Sequence, residues 1–309
     1  MSLALLFPGQ GSQFVGMGRD LAEAFPRARE TFEEADELLG TSLSRLMWEG
    51  PEEDLVLTRN AQPAILVHSV AVLRVAKGTP GPVAFAAGHS LGEFSAWVAA
   101  GTLSFADALR AVRFRGEQMF AAGEARPGTM AALLGLEDAA ADALCRKASR
   151  GVADLVVSAN FNAPGQVVVS GDVTAVTRLM EMARDAGARK VVPLSVSGAF
   201  HSPLMEPAQS ELERHLAGVD FGAPEFPVIS NVTASPTEAP AEARELLVRQ
   251  LTSPVRWAES VAAMLEAGVD RFVEMGPGNV LTGLNRRNAR GASSMAVQGP
   301  SDLEALGAS

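Results

Sequence analysis

A mainly parallel α/β fold carrying a small α+β insert is what this sequence predicts, on three observations. Short apolar runs at Leu3–Phe7, 83–87 and Arg271–Met275 are strand-sized and lie far apart, with helical patterns between them. The second run leads straight into the turn Gly88-His89-Ser90-Leu91-Gly92, and a helical pattern follows. Between residues 130 and 195 the order becomes strand, helix, strand, strand, helix, strand, which is that of a ferredoxin-like unit.

The elements follow in order. Leu3–Phe7 reads as a buried strand that ends in the loop Pro8-Gly9-Gln10-Gly11-Ser12-Gln13. Helical periodicity covers 18–39 and 61–75. A strand at 83–87 precedes the serine turn and a helix at 93–100. Ser104 and Asp107 have the spacing of a capping box for a helix reaching about Ala122, and Pro127-Gly128 breaks that helix. The insert reads as strand 130–134, helix 137–150, strands 155–159 and 166–170, helix 173–186 and strand 190–195. The α/β pattern then resumes with strand 227–230, helix 257–267 and strand Arg271–Met275. Joints near Gly128 and Ser197 divide the chain into a large subdomain, 1–127 with 197–309, and a small one, 128–196.

Composition narrows the function classes. The 309 residues are 47% apolar and 20% charged, ordinary for a globular protein with a sizeable core. No apolar run approaches the roughly 18 residues of a membrane span. Leu3–Phe7 is too short for a signal peptide, so a cytoplasmic protein is expected. A net charge of −10 argues against nucleic acid or an anionic membrane as the partner. The single Cys145 forms no internal disulfide, and its helical context reads as a buried structural thiol. Four histidines give no visible metal cluster.

The turn at 88–92 fits the G-x-S-x-G elbow with strand before and helix after. So sharp a turn excludes a side chain at either glycine and pushes the Ser90 hydroxyl into a cleft. It also sets the serine at a helix N-terminus, where the Leu91 amide faces a developing oxyanion. An un-ionised serine needs a base. His68 lies in an apolar helical stretch and reads as a satisfied core histidine. His215 sits on a charged helix and reads as solvated, and His89 beside the nucleophile reads as packing. His201, in the loop Ser197-Gly198-Ala199-Phe200-His201-Ser202-Pro203, leads by elimination, although spacing alone does not bring it to Ser90.

Five blocks together resemble the malonyl-CoA:acyl carrier protein transacylases. They are Phe7-Pro8-Gly9-Gln10-Gly11-Ser12-Gln13, Gly88-His89-Ser90-Leu91-Gly92-Glu93, Asn160-Phe161-Asn162-Ala163-Pro164-Gly165-Gln166, Gly198-Ala199-Phe200-His201-Ser202 and Glu274-Met275-Gly276-Pro277-Gly278. They occur in family order and span nearly the whole chain. The resemblance implies a hydrolase-like core with a ferredoxin-like insert, Ser90 as the malonyl-bearing nucleophile and His201 as general base and acid. It further implies that the Gln250 carbonyl orients His201, that the Gln10 and Leu91 amides form the oxyanion hole, and that Arg115 binds the malonyl carboxylate. A guanidinium suits that task, since its planar fork takes a carboxylate through two hydrogen bonds. Without the resemblance Arg115 would read as a solvated helix charge. Asn162 falls in a family block and is expected near the substrate. Met119, one turn beyond Arg115, reads equally as pocket lining or core. Phe200 beside the base is expected to favour malonyl over methylmalonyl on steric grounds, by the ~1–3 kcal/mol that one methylene allows.

The partners implied are malonyl-CoA and an acyl carrier protein. Because such carriers are acidic, a basic patch is expected near the cleft, with Arg286, Arg287 and Arg290 as candidates and a solvated helix face as the alternative. No metal or redox cofactor is expected, and a monomer is the default. The competing readings are a serine thioesterase or esterase, and an extender-unit transferase of a polyketide pathway.

Overall fold

The computed structural model describes residues 2–79 and 81–307. Ten strands occur among them: β1 (Leu3–Phe7), β2 (Val83–Gly88), β3 (Gly128–Leu134), β4 (Val156–Ala163), β5 (Gln166–Asp172), β6 (Lys190–Pro193), β7 (Val228–Ile229), β8 (Pro236–Thr237), β9 (Arg271–Met275) and β10 (Ser293–Val297). They form two sheets. The larger has the order β10-β9-β1-β2-β7-β8, and all its pairs are parallel except β7 with β8. The smaller has the order β4-β5-β3-β6, is antiparallel throughout, and takes all its strands from within 128–193. Together with helices Asp138–Ala148 and Val173–Asp185, that is the ferredoxin-like arrangement.

The central strand explains why its sequence is apolar without alternation. Every residue of β1 is buried, because helices cover both faces of the parallel sheet. Leu3, Leu5 and Phe7 join one core cluster, and Ala4 and Leu6 join another. Phe7 at the end of β1 pairs with Gly88 at the end of β2. The loop 8–13 and the serine turn therefore leave the sheet side by side.

Several expectations need correction. The pattern 18–39 is two helices, Arg19–Ala24 and Pro26–Leu39. Phe25 is extended between them, because a residue before proline is pushed out of the helical region. The strand expected at 227–230 shrinks to two residues, and the one expected at 190–195 stops at Pro193, which has no N–H to donate. The second strand of the insert runs further than 159, to Ala163. The edge strand β10 was not anticipated, since Ser-Ser-Met-Ala-Val shows little alternation. The capping box holds: Ser104 Oγ accepts from the Asp107 amide at 3.0 Å and starts the helix Phe105–Ala125.

The elbow is made by close backbone approach. A Cβ on Gly88 would lie 1.9 Å from the carbonyl carbon of Gly92, and one on Gly92 would lie 2.2 Å from the Phe7 carbonyl oxygen. No relaxation of a side chain can relieve either clash, because both neighbours are backbone. Gly88→Ala should therefore lower the free energy of unfolding by about 3 kcal/mol or more. Urea denaturation measures this, and an unchanged midpoint would contradict the packing described.

Candidate active site

Ser90 stands between β2 and the helix Gly92–Ala99, and it is one of three non-glycine residues with positive φ among those described. Its φ is 52°, and that of His201 is 57°. Left-handed backbone at a residue with a side chain carries strain, which the surroundings must hold in place. Asn231 does so for the serine. Its Oδ1 accepts from the Ser90 amide at 2.8 Å, while its Nδ2 donates to the Gly88 carbonyl at 2.7 Å. Gln250 adds a third tie, with Nε2 donating to the Ser90 carbonyl at 3.0 Å.

His201 reaches Ser90 directly. Its Nε2 lies 2.8 Å from Ser90 Oγ, and its Nδ1 lies 2.9 Å from the Gln250 carbonyl oxygen. A carbonyl can only accept, so Nδ1 carries the proton and Nε2 is left to accept from the serine hydroxyl. The Gln250 carbonyl is available because Gln250 follows the last turn of helix Pro240–Arg249, where carbonyls have no partner further along the helix. Burial lowers the His201 pKa to about 3, the charge of Arg115 lowers it too, and the hydrogen bond to Gln250 acts the other way. The imidazole is therefore neutral and ready to take a proton across the physiological range.

Arg115 is the least expected feature. It is 0% exposed, although the helix Phe105–Ala125 that bears it otherwise carries surface charges. The burial follows from Gly116, where a Cβ would meet the backbone of Thr58 and Arg59 at 2.9 Å, so the helix lies directly on the start of helix Thr58–Ala76. Gln62 of that helix accepts from Arg115 Nη1 at 2.6 Å. Arg115 Nη2 donates to Gln250 Oε1 at 2.9 Å and to Ser90 Oγ at 3.1 Å. Its Nε–H is buried without a protein partner. Desolvation lowers the guanidinium to about 10, opposed by the charge of Glu93, and it stays cationic. A cation against Ser90 Oγ also favours the ionised nucleophile.

These groups line a cavity of about 120 Å³. Gln10, Ser90, Leu91, Arg115, Met119, Phe200 and His201 all border it. Met130, Leu194 and Val196, from β3 and the segment after β6, close it from the side of the small sheet. A larger cavity of about 530 Å³, bordered by Arg74, Phe105 and Phe226, contains neither the nucleophile nor the base, so chemistry rather than size locates the site. Met119 satisfies both of its readings, being fully buried and part of the lining, with Gln62 Nε2 3.4 Å from its sulfur.

Not every expected residue arrives where it was placed. Asn162 is not part of the lining. Its Oδ1 pairs with His89 Nε2 at 2.8 Å, and the residue of β4 that borders the cavity is Asn160. The register of β4 on β5 shifts between Phe161 and Ala163, which breaks the alternation that would give both asparagines one face. His89 packs against Trp257 with ring centroids 5.6 Å apart, in keeping with a packing role. His215 is not freely solvated: it is half-buried and stacks on Phe114 at 4.5 Å. His68 is buried as expected but not satisfied, since its Nδ1 has no partner and burial lowers its pKa to about 4. Cys145 is buried and its thiol is raised to about 12, too high for a nucleophile. Arg286 and Arg290 are exposed, whereas Arg287 donates to Gln166 Oε1. Sequence reasoning assigned no role to Gln62, Glu93, Asn160 or Asn231. The available signals were Glu93 at the end of the serine block and Asn160 at the start of the block that holds Asn162.

The depressed His201 gives a direct expectation. A group with a lowered pKa is deprotonated at all pH values above it, so the base is available well below pH 6.5. Modification of Ser90 by a small neutral fluorophosphonate should change less than about threefold between roughly pH 5.5 and 8. A tenfold fall per unit below about 6.5 would show an ordinary histidine instead.

Comparison with known proteins identifies the family. The acyl transferase domain model matches residues 4–300. The malonyl CoA-acyl carrier protein transacylase of Bacillus subtilis (strain 168) is 48% identical, over 98% of this chain and 95% of its own length. An acyl carrier protein S-malonyltransferase from Vibrio cholerae superposes with a TM-score of 0.95 at 45% identity, covering 99% of this chain and 100% of that one. A malonyl-transacylase solved with a type II polyketide synthase acyl-carrier protein superposes with a TM-score of 0.94 at 43% identity, covering 99% of each chain. The match over nearly the whole chain shows that it belongs to the acyl transferase family.

Proposed function

We propose that this chain transfers a malonyl group from malonyl-CoA to the phosphopantetheine thiol of an acyl carrier protein, through a malonyl ester on Ser90, in fatty acid biosynthesis. The observation that carries the reading is Arg115, a fully buried cation hydrogen-bonded to the nucleophile, with its Nε–H unused. A plain acyl chain gains nothing from such a group, while an acyl chain ending in a carboxylate gains a counter-ion and a donor. The relatives named as malonyl transacylases support the same substrate.

The reaction follows from the contacts. Ser90 Oγ attacks the thioester carbonyl as His201 Nε2 takes its proton. The new oxyanion is held by the amides of Gln10 and Leu91. Leu91 immediately precedes the helix Gly92–Ala99, and its amide has no carbonyl one turn back within that helix. Collapse of the intermediate breaks the C–S bond, and His201 returns the proton to the departing thiol. The carrier's thiol then enters and the steps reverse. A thioester is exchanged for an oxygen ester and back, so the chemistry calls for no metal or redox group. Phe200, Met119 and the apolar residues of the small sheet exclude water and bulk from the acyl group, and Phe200 favours malonyl over methylmalonyl.

Carrier docking fits the helix Val280–Asn288. Arg286 on it and Arg290 just beyond it are exposed, and Asn288 Nδ2 donates at 2.8 Å to the carbonyl of Asn162, the residue whose side chain meets His89. Acidic carriers of either a fatty acid or a polyketide pathway would be drawn to such a surface, and one structural relative was solved with a polyketide carrier. Protein of this kind is expected in the cytoplasm as a monomer; among the described residues no helix is long and apolar enough to cross a membrane.

Brief exposure to malonyl-CoA should add one malonyl group to the intact mass, with none on Ser90→Ala. Holo carrier protein should discharge the adduct at least about 10²-fold faster than buffer does. Free malonate without an adduct, or equal discharge by water, would favour a thioesterase.

A further inference from the structure

The mechanism gives no task to Glu93, yet this acid is 0% exposed at the centre of the site. Its Oε2 accepts from the Asn231 amide at 3.0 Å and from Gln250 Nε2 at 2.8 Å. Those two residues hold the machinery: Asn231 Oδ1 accepts from the Ser90 amide, and Gln250 Oε1 accepts from Arg115. The groups facing Glu93 are Arg115 from the helix Phe105–Ala125, Asn231 after β7, Gln250 after the helix Pro240–Arg249, and Trp97 on its own helix. Of the remaining titratable groups of the site, His201 is buried and His89 half-buried, and desolvation favours the neutral form of both.

The charges then constrain the reaction. With Glu93 ionised, the empty site holds one buried cation and one buried anion. A malonyl group brings a second carboxylate, and one cation cannot compensate two buried anions. We propose that Glu93 takes up a proton from solvent as the acyl group's carboxylate settles against Arg115, so that the buried site keeps a constant charge. The inference rests on the malonyl reading above. It makes Glu93 a charge-balancing residue, coupled to substrate through Arg115 and Gln250 without touching it.

Glu93 is the acid ready for that proton. Burial raises it to about 7, and the bonds from Asn231 and Gln250 together with the charge of Arg115 fall short of restoring an ordinary value. An added anion raises it further. His201, at about 3, would have to climb much further and would then cease to be a base. The sign follows. Well below pH 7 Glu93 is already protonated in the empty site and uptake vanishes; above 7 it is ionised and uptake approaches one proton per malonyl group. Malonyl binding should accordingly weaken as pH rises, by up to about tenfold per unit in KM. Acylation itself is proton-neutral, because the Ser90 proton ends on the thiol of CoA.

The test counts protons against adducts. Malonyl-CoA is mixed with the enzyme at pH 7.5 in weak buffer with an indicator dye, and malonyl-Ser90 is quantified by intact mass. The wild type should take up a substantial fraction of a proton per adduct, and much less at about pH 5.5. Glu93→Gln, which has the shape of the neutral acid, should form the adduct with less than about a tenth of a proton. Uptake that persists in Glu93→Gln would place the proton elsewhere and overturn the proposal. So would a folded Glu93→Gln that cannot be loaded. Should that variant not fold, the pH series on the wild type decides, since uptake that is absent or pH-independent overturns the proposal while leaving malonyl transfer intact. No adduct on the wild type would overturn both.

Discussion

The site is organised around the burial of one guanidinium. Arg115 is desolvated completely, and a lone buried cation would be costly. Three side chains from distant segments offset that cost: Gln62 and Gln250 accept from it, and Glu93 supplies the charge behind them. Each partner then has a second commitment. Gln250 turns its carbonyl to His201 and its amide to Ser90 and Glu93, so the residue that accepts from the arginine also orients the base and ties down the nucleophile. Changing the charge at Arg115 thereby disturbs everything within two hydrogen bonds of it.

The same network carries the backbone strain. Ser90 and His201 both sit in left-handed conformations, which an isolated turn would leave. Asn231 clamps the elbow through both ends of its amide, and the Gly88 and Gly92 backbones touch too closely for the turn to open. Parallel pairing of β1 with β2 brings the loop holding Gln10 beside the serine. Met130 of the small sheet, with Leu194 and Val196 just after its strand β6, supplies the apolar side of the cavity. Polar chemistry thus comes from the large sheet's loops and helices, and the exclusion of water comes in part from the insert.

Much of this is legible in the sequence where a local rule forces it. The elbow is visible because backbone contact demands glycine at 88 and 92, and the insert is visible because its strand and helix periods alternate cleanly. His201 could be reached by elimination among four histidines, and its loop setting agreed. Arg115 is the opposite case. Nothing in its helix separates it from Arg110 or Arg113, because its burial depends on Gly116 meeting a different helix. Asn231, Gln62 and Glu93 were passed over for the same reason: each is a polar residue bonded to a partner far off in the chain, 53 positions away for Gln62 and 138 for the pair Glu93 and Asn231. Asn162 was expected near the substrate because it falls in a family block, which does not say where its side chain points; it meets His89, and Asn160 borders the cavity. The break at Pro26 had a readable signal, since a proline at the first helical position marks a start.

The central claim is that the buried guanidinium, rather than the serine and histidine, decides which acyl group is carried. The most direct test is the ratio of malonyl to acetyl loading on Ser90, measured as kcat/KM for the two CoA esters, in wild type and in Arg115→Ala. The account predicts that the ratio falls by about 10²–10³ in the variant, because the loss of a buried counter-ion falls on malonyl alone. An unchanged ratio, with both esters slowed equally, would contradict it and reduce Arg115 to a support for the nucleophile.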